Sequence, residues 1–463
     1  MSTSLFGANG VRGVINRDLT PEVALQLGKA VGRTFPGEVA VATDVRDSAD
    51  AVKIAFLAGL MAVGTDVVDL GVVPTPALQL YMRDNPDMSG GIMITASHNT
   101  SEYNGIKMIL QDGIEATRED ELSLETFFTR SIDPVSPSDH GRMRADDSAI
   151  PHYVDAVVSQ VDADAIRASG LTVCVDCAGG AASLTTPLIL KRLGVKVVAL
   201  GCDTAGAPSR ESDPTRENLA DLMAVTPVVH ADLGVGHDGD GGRSVFVDCD
   251  GNYLSGDVSG SIVARSMLGG GKGWVVTPVS SSMVLEDTVE SSGGQVRYTE
   301  VGSHAIVHRM LESTTVLGVE EHGGMIFPEH QFCRDGGMSL AMMLQIVAKE
   351  GPLNALVSSL PRYYTVKHKV PCPDEAKAPL LDWFYKELDG GHYKIDTTDG
   401  LKVYCDDGWV LLRASTTEQL FRIYADSSDP QISEDRVRQV EEKVTDFIGS
   451  FTQGSSREQL GPR

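Results

Sequence analysis

The chain has 463 residues, 42% of them hydrophobic and 22% charged. That is the balance of a soluble globular protein too long for a single core, so about three or four domains are expected. A formal net charge of -25 argues against a nucleic-acid partner, whose phosphate backbone such a surface repels. Small anionic substrates stay open, because a local basic pocket can hold them inside an acidic shell. The first residues lack the basic start and apolar run of a secretory signal, and no apolar stretch is long enough to span a bilayer. Seven scattered cysteines fit a reduced, cytoplasmic protein with no membrane partner. Cys174 and Cys177 form a Cys-x-x-Cys pair at the end of a strand-like run whose alternation points them to opposite faces; no second pair completes a zinc site, and both read as core.

In chain order, Phe6-Gly7-Ala8-Asn9-Gly10-Val11-Arg12-Gly13 sets three glycines around one arginine. It reads either as a tight loop bringing Arg12 to an anion or as a plain turn. A helix follows, with Thr20 as N-cap, Pro21 at its first position and Val23, Leu27 and Val31 on its apolar face. Strands at 39–42 and 66–70 flank a helix at about 51–63, and Asp44 and Arg46 lie in the loop after the first strand. An apolar strand over 91–94 runs into Thr95-Ala96-Ser97-His98-Asn99-Thr100 and returns through 106–110. Serine beside histidine, ten residues before Lys107, has the parts for phosphoryl chemistry, although the same residues also make ordinary turns. The Ser-, Pro- and Asp-rich segment 133–147 reads as a linker.

The strand–helix alternation then repeats. Strands at 171–176, 196–200, 232–235 and 244–247 and helices at about 153–161, 184–193 and 218–224 form a second unit. Its loop Gly236-His237-Asp238-Gly239-Asp240-Gly241-Gly242-Arg243 suits either a hard divalent cation or an Asp-Gly turn. A third unit has strands at 274–277, 295–299 and 316–320, helices at 283–290, 304–311 and 336–347, and the polar loop Glu320-Glu321-His322-Gly323-Gly324. Two adjacent acids there face either solvent or a polar ligand, since burial unpaired is costly. From about Tyr364 a mixed or antiparallel sheet is covered by helices at 376–388 and 434–447. Between two of its strands, Arg413-Ala414-Ser415-Thr416-Thr417-Glu418 suits a phosphate or a polar hairpin. The tail from Gln453 is expected to be disordered.

Taken together, these loops resemble those of the α-D-phosphohexomutase superfamily, which includes phosphoglucomutase, phosphomannomutase and phosphoglucosamine mutase. The resemblance runs from Phe6 to about Tyr424. Phe6 to Gly13 is similar to the opening motif, Thr95 to Asn99 to the phosphoserine loop, and Asp238, Gly239, Asp240 and Arg243 to the metal loop. Glu320 and Gly323 match the sugar loop, and Arg413, Ser415, Thr417 and Glu418 the phosphate loop. It implies an α/β fold of three similar domains with mixed sheets plus a smaller C-terminal α+β domain, four domains round a central cleft. The expected boundaries are 1–147 with the phosphoserine loop, 148–250 with the metal loop, 251–363 with the sugar loop and 364–463 with the phosphate loop.

The implied activity is interconversion of hexose 1-phosphate and hexose 6-phosphate through a phosphoserine and a hexose bisphosphate. By the same resemblance Ser97, His98, Lys107 and Arg12 are catalytic, and Ser97, Asp238 and Asp240 hold Mg²⁺. Arg243, Glu320, His322, Arg413, Ser415, Thr416 and Thr417 bind substrate, and the protein is a monomer or homodimer. The chain departs from the family pattern at Gly242, where a third metal aspartate is usual, and at Thr100, Val319, His322, Ala414 and Gln419. The alternative is a catalytically degenerate paralogue that binds sugar phosphates with an impaired metal site.

Overall fold

The structure is a computed structural model that describes residues 6–7, 10–205, 208–388, 391, 393–415 and 418–458. It divides into two compact units, residues 1–267 with 316–359, and residues 268–315 with 360–463.

The first unit opens with a seven-stranded mixed sheet. Its order is Phe6–Gly7, Gly10–Val14, Tyr103–Ile109, Met88–Ile94, Glu38–Thr43, Val67–Val72, Met143–Ala145. Glu38–Thr43 runs parallel to both Met88–Ile94 and Val67–Val72, and Tyr103–Ile109 returns antiparallel, with Met93 opposite Lys107. The loop that carries Ser97 therefore leaves the carboxyl end of one parallel strand, and Asp44 leaves the carboxyl end of its neighbour. Open α/β sheets place ligands at such ends. Thr20 caps the helix Pro21–Thr34 by accepting from the Val23 amide, with Pro21 where its missing N–H costs nothing. That helix lies against Ala49–Ala62 with almost no space between the backbones. A Cβ on Gly28 would sit 2.1 Å from the Phe56 carbonyl oxygen, and one on Gly59 2.1 Å from that of Leu25.

Segment 133–147 is not a free linker. Met143–Ala145 adds a seventh strand parallel to Val67–Val72. All three of its residues are exposed, so no apolar pattern marks it; Arg144 pairing with Glu38 and the Asp146 amide donating to the Asp69 carbonyl hold it in place. The helices Thr75–Asp84, Arg118–Phe128 and Gly256–Leu268 also have no counterpart in the sequence expectation.

A five-stranded sheet follows in the order Tyr253–Leu254, Ser244–Asp248, Leu233–His237, Thr172–Asp176, Lys196–Leu200. Leu233–His237 runs parallel to Thr172–Asp176, and Ser244–Asp248 returns antiparallel. Thr315–Val319 likewise gives way to an antiparallel Met325–Phe327, which pairs with Gln331–Arg334. The same local event occurs three times: a buried strand ends, a polar loop turns, and an antiparallel strand returns. Cys174 and Cys177 are fully buried, as expected of core residues.

In the second unit, Trp274–Pro278 pairs parallel with Gln295–Thr299. Five antiparallel strands run in the order Tyr364–Pro371, Leu420–Ser427, Gly408–Ala414, Leu401–Cys405, Ile395–Asp396. Helices Asp374–Leu388 and Pro430–Glu458 supply the apolar face that covers this sheet. The last helix continues through Glu458, past the point where disorder was expected, and residues 459–463 lie outside the described residues. Lys402 is fully buried. Its Nζ donates to the Val279 carbonyl at 2.8 Å and lies over Tyr298, Tyr404 and Trp409, which stabilise a cation taken out of water. No described helix is long and apolar enough to cross a membrane.

The contact between the first two helices gives a direct check on this packing. Gly59→Val forces two helix backbones apart and lowers stability by about 1–3 kcal/mol or more, read as a drop in the urea midpoint. An unchanged midpoint would contradict the close approach.

Candidate active site

Ser97 sits in the left-handed region, with φ +52°. For a residue with a Cβ this costs about 1–3 kcal/mol unless the surroundings hold it. Arg46 is what holds it. Its Nη2 donates to the carbonyls of Ser97 (2.7 Å) and Asn99 (2.8 Å), and its Nη1 to those of Thr100 (2.8 Å) and Tyr103 (3.0 Å). Its Nε donates to Asp44 at 3.1 Å. Asp44 also accepts from Thr95 Oγ1 at 2.5 Å, and the Ser97 amide donates to that hydroxyl at 2.8 Å. Asp44 is buried, and burial raises its pKa against the opposing pull of Arg46 and Thr95.

Ser97 Oγ, thus presented, donates to Asp238 Oδ2 at 3.1 Å. His98 Nδ1 lies 3.4 Å from the same hydroxyl. Burial, reinforced by Arg243, Arg12 and Arg334, pushes the His98 pKa down to about 2, so the ring is neutral at any working pH. Arg12 is paired with Gly105 across the sheet, and its Nη1 donates to Asn99 Oδ1 at 2.9 Å. Burial lowers its pKa, and its Nε has no partner among the described residues.

The second loop supplies carboxylates. Arg243 grips both oxygens of Asp238, backbone N–H to Oδ1 and Nε to Oδ2, each at 2.9 Å, and its Nη1 reaches Asp213 at 3.1 Å. Asp240 Oδ2 accepts from Lys107 Nζ at 2.9 Å and from Thr75 Oγ1 at 2.7 Å. Burial works against that charge, but Lys107, Thr75 and Arg334 outweigh it and hold Asp240 well below the usual carboxylate range. Asp240 Oδ1 is buried without a partner among the described residues. Arg210 braces the loop from beneath, donating to the carbonyls of His237 (2.8 Å) and Asp176 (3.2 Å) and from Nε to Asp176 Oδ2 (2.8 Å).

The third loop docks on the second, the Ser244 amide donating to the Gly323 carbonyl at 3.0 Å. A Cβ at Gly323, φ +89°, would lie 2.5 Å from the Ser244 carbonyl oxygen. Glu320 and Glu321 are both buried, so neither is merely solvated. Glu320 accepts from Arg334 Nη1 at 3.2 Å, and Glu321 lies 3.4 Å from His322 Nδ1, whose ring is exposed.

One set of residues in the first unit thus brings together Ser97, His98, Lys107, Arg12, Asp238, Asp240 and Arg243, with Glu320 joined through Arg334. Arg413 and Ser415 belong to the second unit. There Arg413 Nε donates to Asp399 at 2.6 Å, and Lys377 Nζ donates to the carbonyls of Ser415 (2.6 Å) and Glu418 (2.7 Å). Thr416 and Thr417 lie outside the described residues. Arg46, Arg210, Lys377, Thr75, Asp213 and Arg334 were not anticipated as site residues. For Arg46 the only sequence signal is an Asp-x-Arg just past a strand end.

Asp238, Asp240 and Ser97 Oγ form an all-oxygen donor set of the kind that suits a hard divalent cation, and the orphaned Asp240 Oδ1 is an oxygen with coordination to offer. Among the described residues, no group of three or more His, Cys, Asp or Glu side chains is arranged to hold a metal. The residues fit a cation bound by two carboxylates and a hydroxyl or phosphoryl oxygen. Position 242 has room for more: a Cβ there would lie 3.8 Å from Asp240 Oδ1 and meet nothing closer.

Comparison with known proteins covers nearly the whole chain. Residues 3–133, 151–251 and 255–364 match phosphoglucomutase/phosphomannomutase alpha/beta/alpha domains I, II and III, and residues 368–445 match the C-terminal domain. A phosphoglucomutase/phosphomannomutase of Thermococcus kodakarensis is 38% identical over 445 residues, 94% of this chain and 96% of that protein. A phosphoglucosamine/phosphogalactosamine mutase of Sulfurisphaera tokodaii is 37% identical over 453 residues, 95% of this chain and 99% of that protein. The crystal structure of a phosphoglucomutase/phosphomannomutase family protein from Burkholderia thailandensis superposes with a TM-score of 0.81 at 25% identity, over 95% of this chain and 98% of that one.

Two outcomes follow from the geometry. Arg46→Ala strips four carbonyls and Asp44 of their cation; it destabilises the protein by about 3 kcal/mol and speeds hydrogen exchange across residues 95–105, against an exchange pattern unchanged if Arg46 is a surface residue in solution. His98 takes up a proton in the unfolded chain near pH 6.5 but in the folded chain only near pH 2. Its contribution is therefore fully present above pH 6.5 and is lost as the pH falls below it. The urea midpoint of the wild type should drop more than that of His98→Gln between pH 7 and pH 5; equal drops would mean that the ring is not buried neutral.

Proposed function

The chain belongs to the phosphoglucomutase/phosphomannomutase family and is a hexose-phosphate mutase, and we propose that it works through a phosphoserine at Ser97 and a hexose-bisphosphate intermediate. The observation that carries this reading is Ser97 itself, held at φ +52° with its hydroxyl on Asp238 and Lys107 anchored beside it on Asp240. Phosphoserine gives its phosphoryl group to a hydroxyl of a hexose monophosphate. The Oγ–P bond breaks, a sugar O–P bond forms, and Lys107 exchanges the proton of the reacting hydroxyl. The bisphosphate reorients and returns its other phosphoryl group to Ser97, so the net change is hexose 1-phosphate to hexose 6-phosphate or the reverse.

Each neighbouring group has a task in this scheme. Arg12 attracts the transferring phosphoryl group. Neutral His98 hydrogen-bonds at Oγ without adding charge. Arg243 locks Asp238 in place, and Glu320 accepts from sugar hydroxyls. Arg413 and Ser415, with Thr416 and Thr417, grip the phosphate that does not react, which lets binding energy orient the one that does. His322, exposed at the tip of the sugar loop, is the side chain offered to a hexose substituent, so glucose, mannose and glucosamine phosphates are all candidate substrates. Four functional modules at 1–147, 148–250, 251–363 and 364–463 follow from this assignment.

Mg²⁺ is the proposed cofactor, held by Asp238, Asp240 and an oxygen on Ser97. When bound, such a cation offsets charge on the phosphoryl oxygens. Gly242 leaves it one carboxylate short of the family pattern. All seven cysteines are free, which supports a reducing, cytoplasmic setting.

A mutase assay with glucose 1-phosphate and glucose 1,6-bisphosphate, titrated with Mg²⁺ and Mn²⁺, tests the reading. Turnover in the wild type and a loss of about 10⁴-fold or more in Ser97→Ala are expected; equal rates in the two proteins would sink it. Gly242→Asp adds a third carboxylate where space exists, and calorimetry should show Mn²⁺ binding tightened by about tenfold or more. No tightening would mean that the added carboxylate does not reach the cation.

A further inference from the structure

Besides Arg46, which is spent on the carbonyls of its own turn, four cations surround Ser97. Arg243 is engaged by Asp238 and Asp213, Lys107 by Asp240, and Arg12 by Asn99. Arg334 differs. Of the five N–H donors a guanidinium carries, only one has a hydrogen-bond partner among the described residues, Nη1 on Glu320 at 3.2 Å. None of its nitrogens is a buried orphan, and its side chain keeps 14% of its exposure, so the remaining donors face open space.

Its position is fixed from behind. Arg334 ends the strand Gln331–Arg334. The next residue, Asp335, is fully buried, accepts from Tyr153 and Gln331, and caps the helix Gly336–Glu350. The Gly336 amide donates to the Gly241 carbonyl at 3.1 Å, tying this strand end to the loop of Asp238 and Asp240. Two glycines make the path for the side chain. A Cβ at Gly324 would lie 2.7 Å from Arg334 Cδ and 2.6 Å from Glu320 Oε2, so any larger residue would break this pair. A Cβ at Gly242 would lie 4.0 Å from Arg334 Cβ and 3.8 Å from Asp240 Oδ1, so this position separates the arginine from the carboxylates that face Ser97. Burial opposes the charge on Arg334, and Glu320, Glu115, Asp240 and Asp238 together sustain it, which places the guanidinium in their common field.

The charges explain why such an arginine belongs here. Asp238, Asp240, Glu115 and Glu320 lie in the common field of Arg12, Lys107, Arg243 and Arg334. A third aspartate at 242 would add a negative charge beside Arg334 and claim its spare donors. With glycine there, those donors remain available to a ligand. We propose that Arg334 is a catalytic residue of this chain: its guanidinium, anchored on Glu320 and left uncommitted by Gly242, binds the oxygens of the phosphoryl group in transit from Ser97. A planar fork of parallel N–H groups matches phosphoryl oxygens two at a time. Arg334 forms and breaks no covalent bond and keeps its proton throughout; the Oγ–P bond still breaks as the sugar O–P bond forms. Its charge acts where charge accumulates.

This inference rests on the phosphoserine reading of Ser97, and the experiment separates the two. Wild type, Arg334→Met, Arg334→Lys and Glu320→Gln are assayed as full chains for kcat and KM with glucose 1-phosphate at saturating Mg²⁺. In parallel, the rate at which glucose 1,6-bisphosphate phosphorylates Ser97 is followed by intact mass. Arg334→Met is expected to lower kcat and the phosphorylation rate together by about 10²–10³-fold with KM changed little. Arg334→Lys, which keeps the charge but not the fork, should fall by about tenfold and serves as the decisive variant if Arg334→Met does not fold. Glu320→Gln should act mainly on KM. A kcat within threefold of wild type in both arginine variants, or a change confined to KM and matched by Glu320→Gln, overturns the assignment and leaves Arg334 a positioning residue for Glu320. Wild-type protein that takes no phosphoryl group on Ser97 overturns the functional reading itself, and the arginine assignment with it.

Discussion

Much of this site depends on one guanidinium that touches no substrate. Arg46 donates to four carbonyls of a single turn and to Asp44 beneath it. Backbone carbonyls that converge on a point repel one another and have no partner in regular structure, so a turn that gathers four of them forms only around a cation. With Arg46 in place, the strained conformation of Ser97 becomes the low-energy one, and its hydroxyl points at Asp238 rather than into solvent. Two other loops use the same device. Arg210 collects the carbonyls of Asp176 and His237 under the carboxylate loop, and Lys377 collects those of Ser415 and Glu418 in the loop of Arg413. In each case the cation is spent on holding shape, and the chemistry is left to its neighbours.

The second constraint is electrostatic. Asp238 and Asp240 are both buried, and each is paired with its own cation, Arg243 and Lys107, which holds the Asp240 carboxyl well below the usual range. Such pairs contribute little net stability after desolvation, but removing one partner leaves an unpaired buried charge. The arrangement is therefore all-or-none, and it fixes Lys107 in position before any substrate arrives. Gly242 alters the balance by one unit of charge and leaves Arg334 with donors to spare.

Much of this was legible in the sequence. Ser97, Asp238, Asp240 and Glu320 stand in polar loops at the ends of apolar strands, and a strand that ends in small and charged residues is visible without coordinates. The α/β alternation was equally plain. The clamps were not, because Arg46, Arg210 and Lys377 bind carbonyls, which every residue possesses, so no partner residue type marks them. The helix Thr75–Asp84 was missed because almost every residue in it is buried, which erases the periodicity that identifies a helix. Met143–Ala145 was missed for the opposite reason, exposure on an edge. Arg334 gains its meaning only from the absence of side chains at Gly242 and Gly324, a relation between distant positions that no local pattern carries.

The central claim is that Ser97 both accepts and donates the phosphoryl group. It is tested most directly by a pulse and chase on the purified full chain. Incubation with glucose 1,6-bisphosphate and Mg²⁺ should place one phosphoryl group on the peptide containing Ser97, located by fragmentation mass spectrometry. Addition of glucose 1-phosphate should then remove it as bisphosphate and not as inorganic phosphate. A phosphoryl group found on another residue, or one on Ser97 that leaves only to water, would contradict the account.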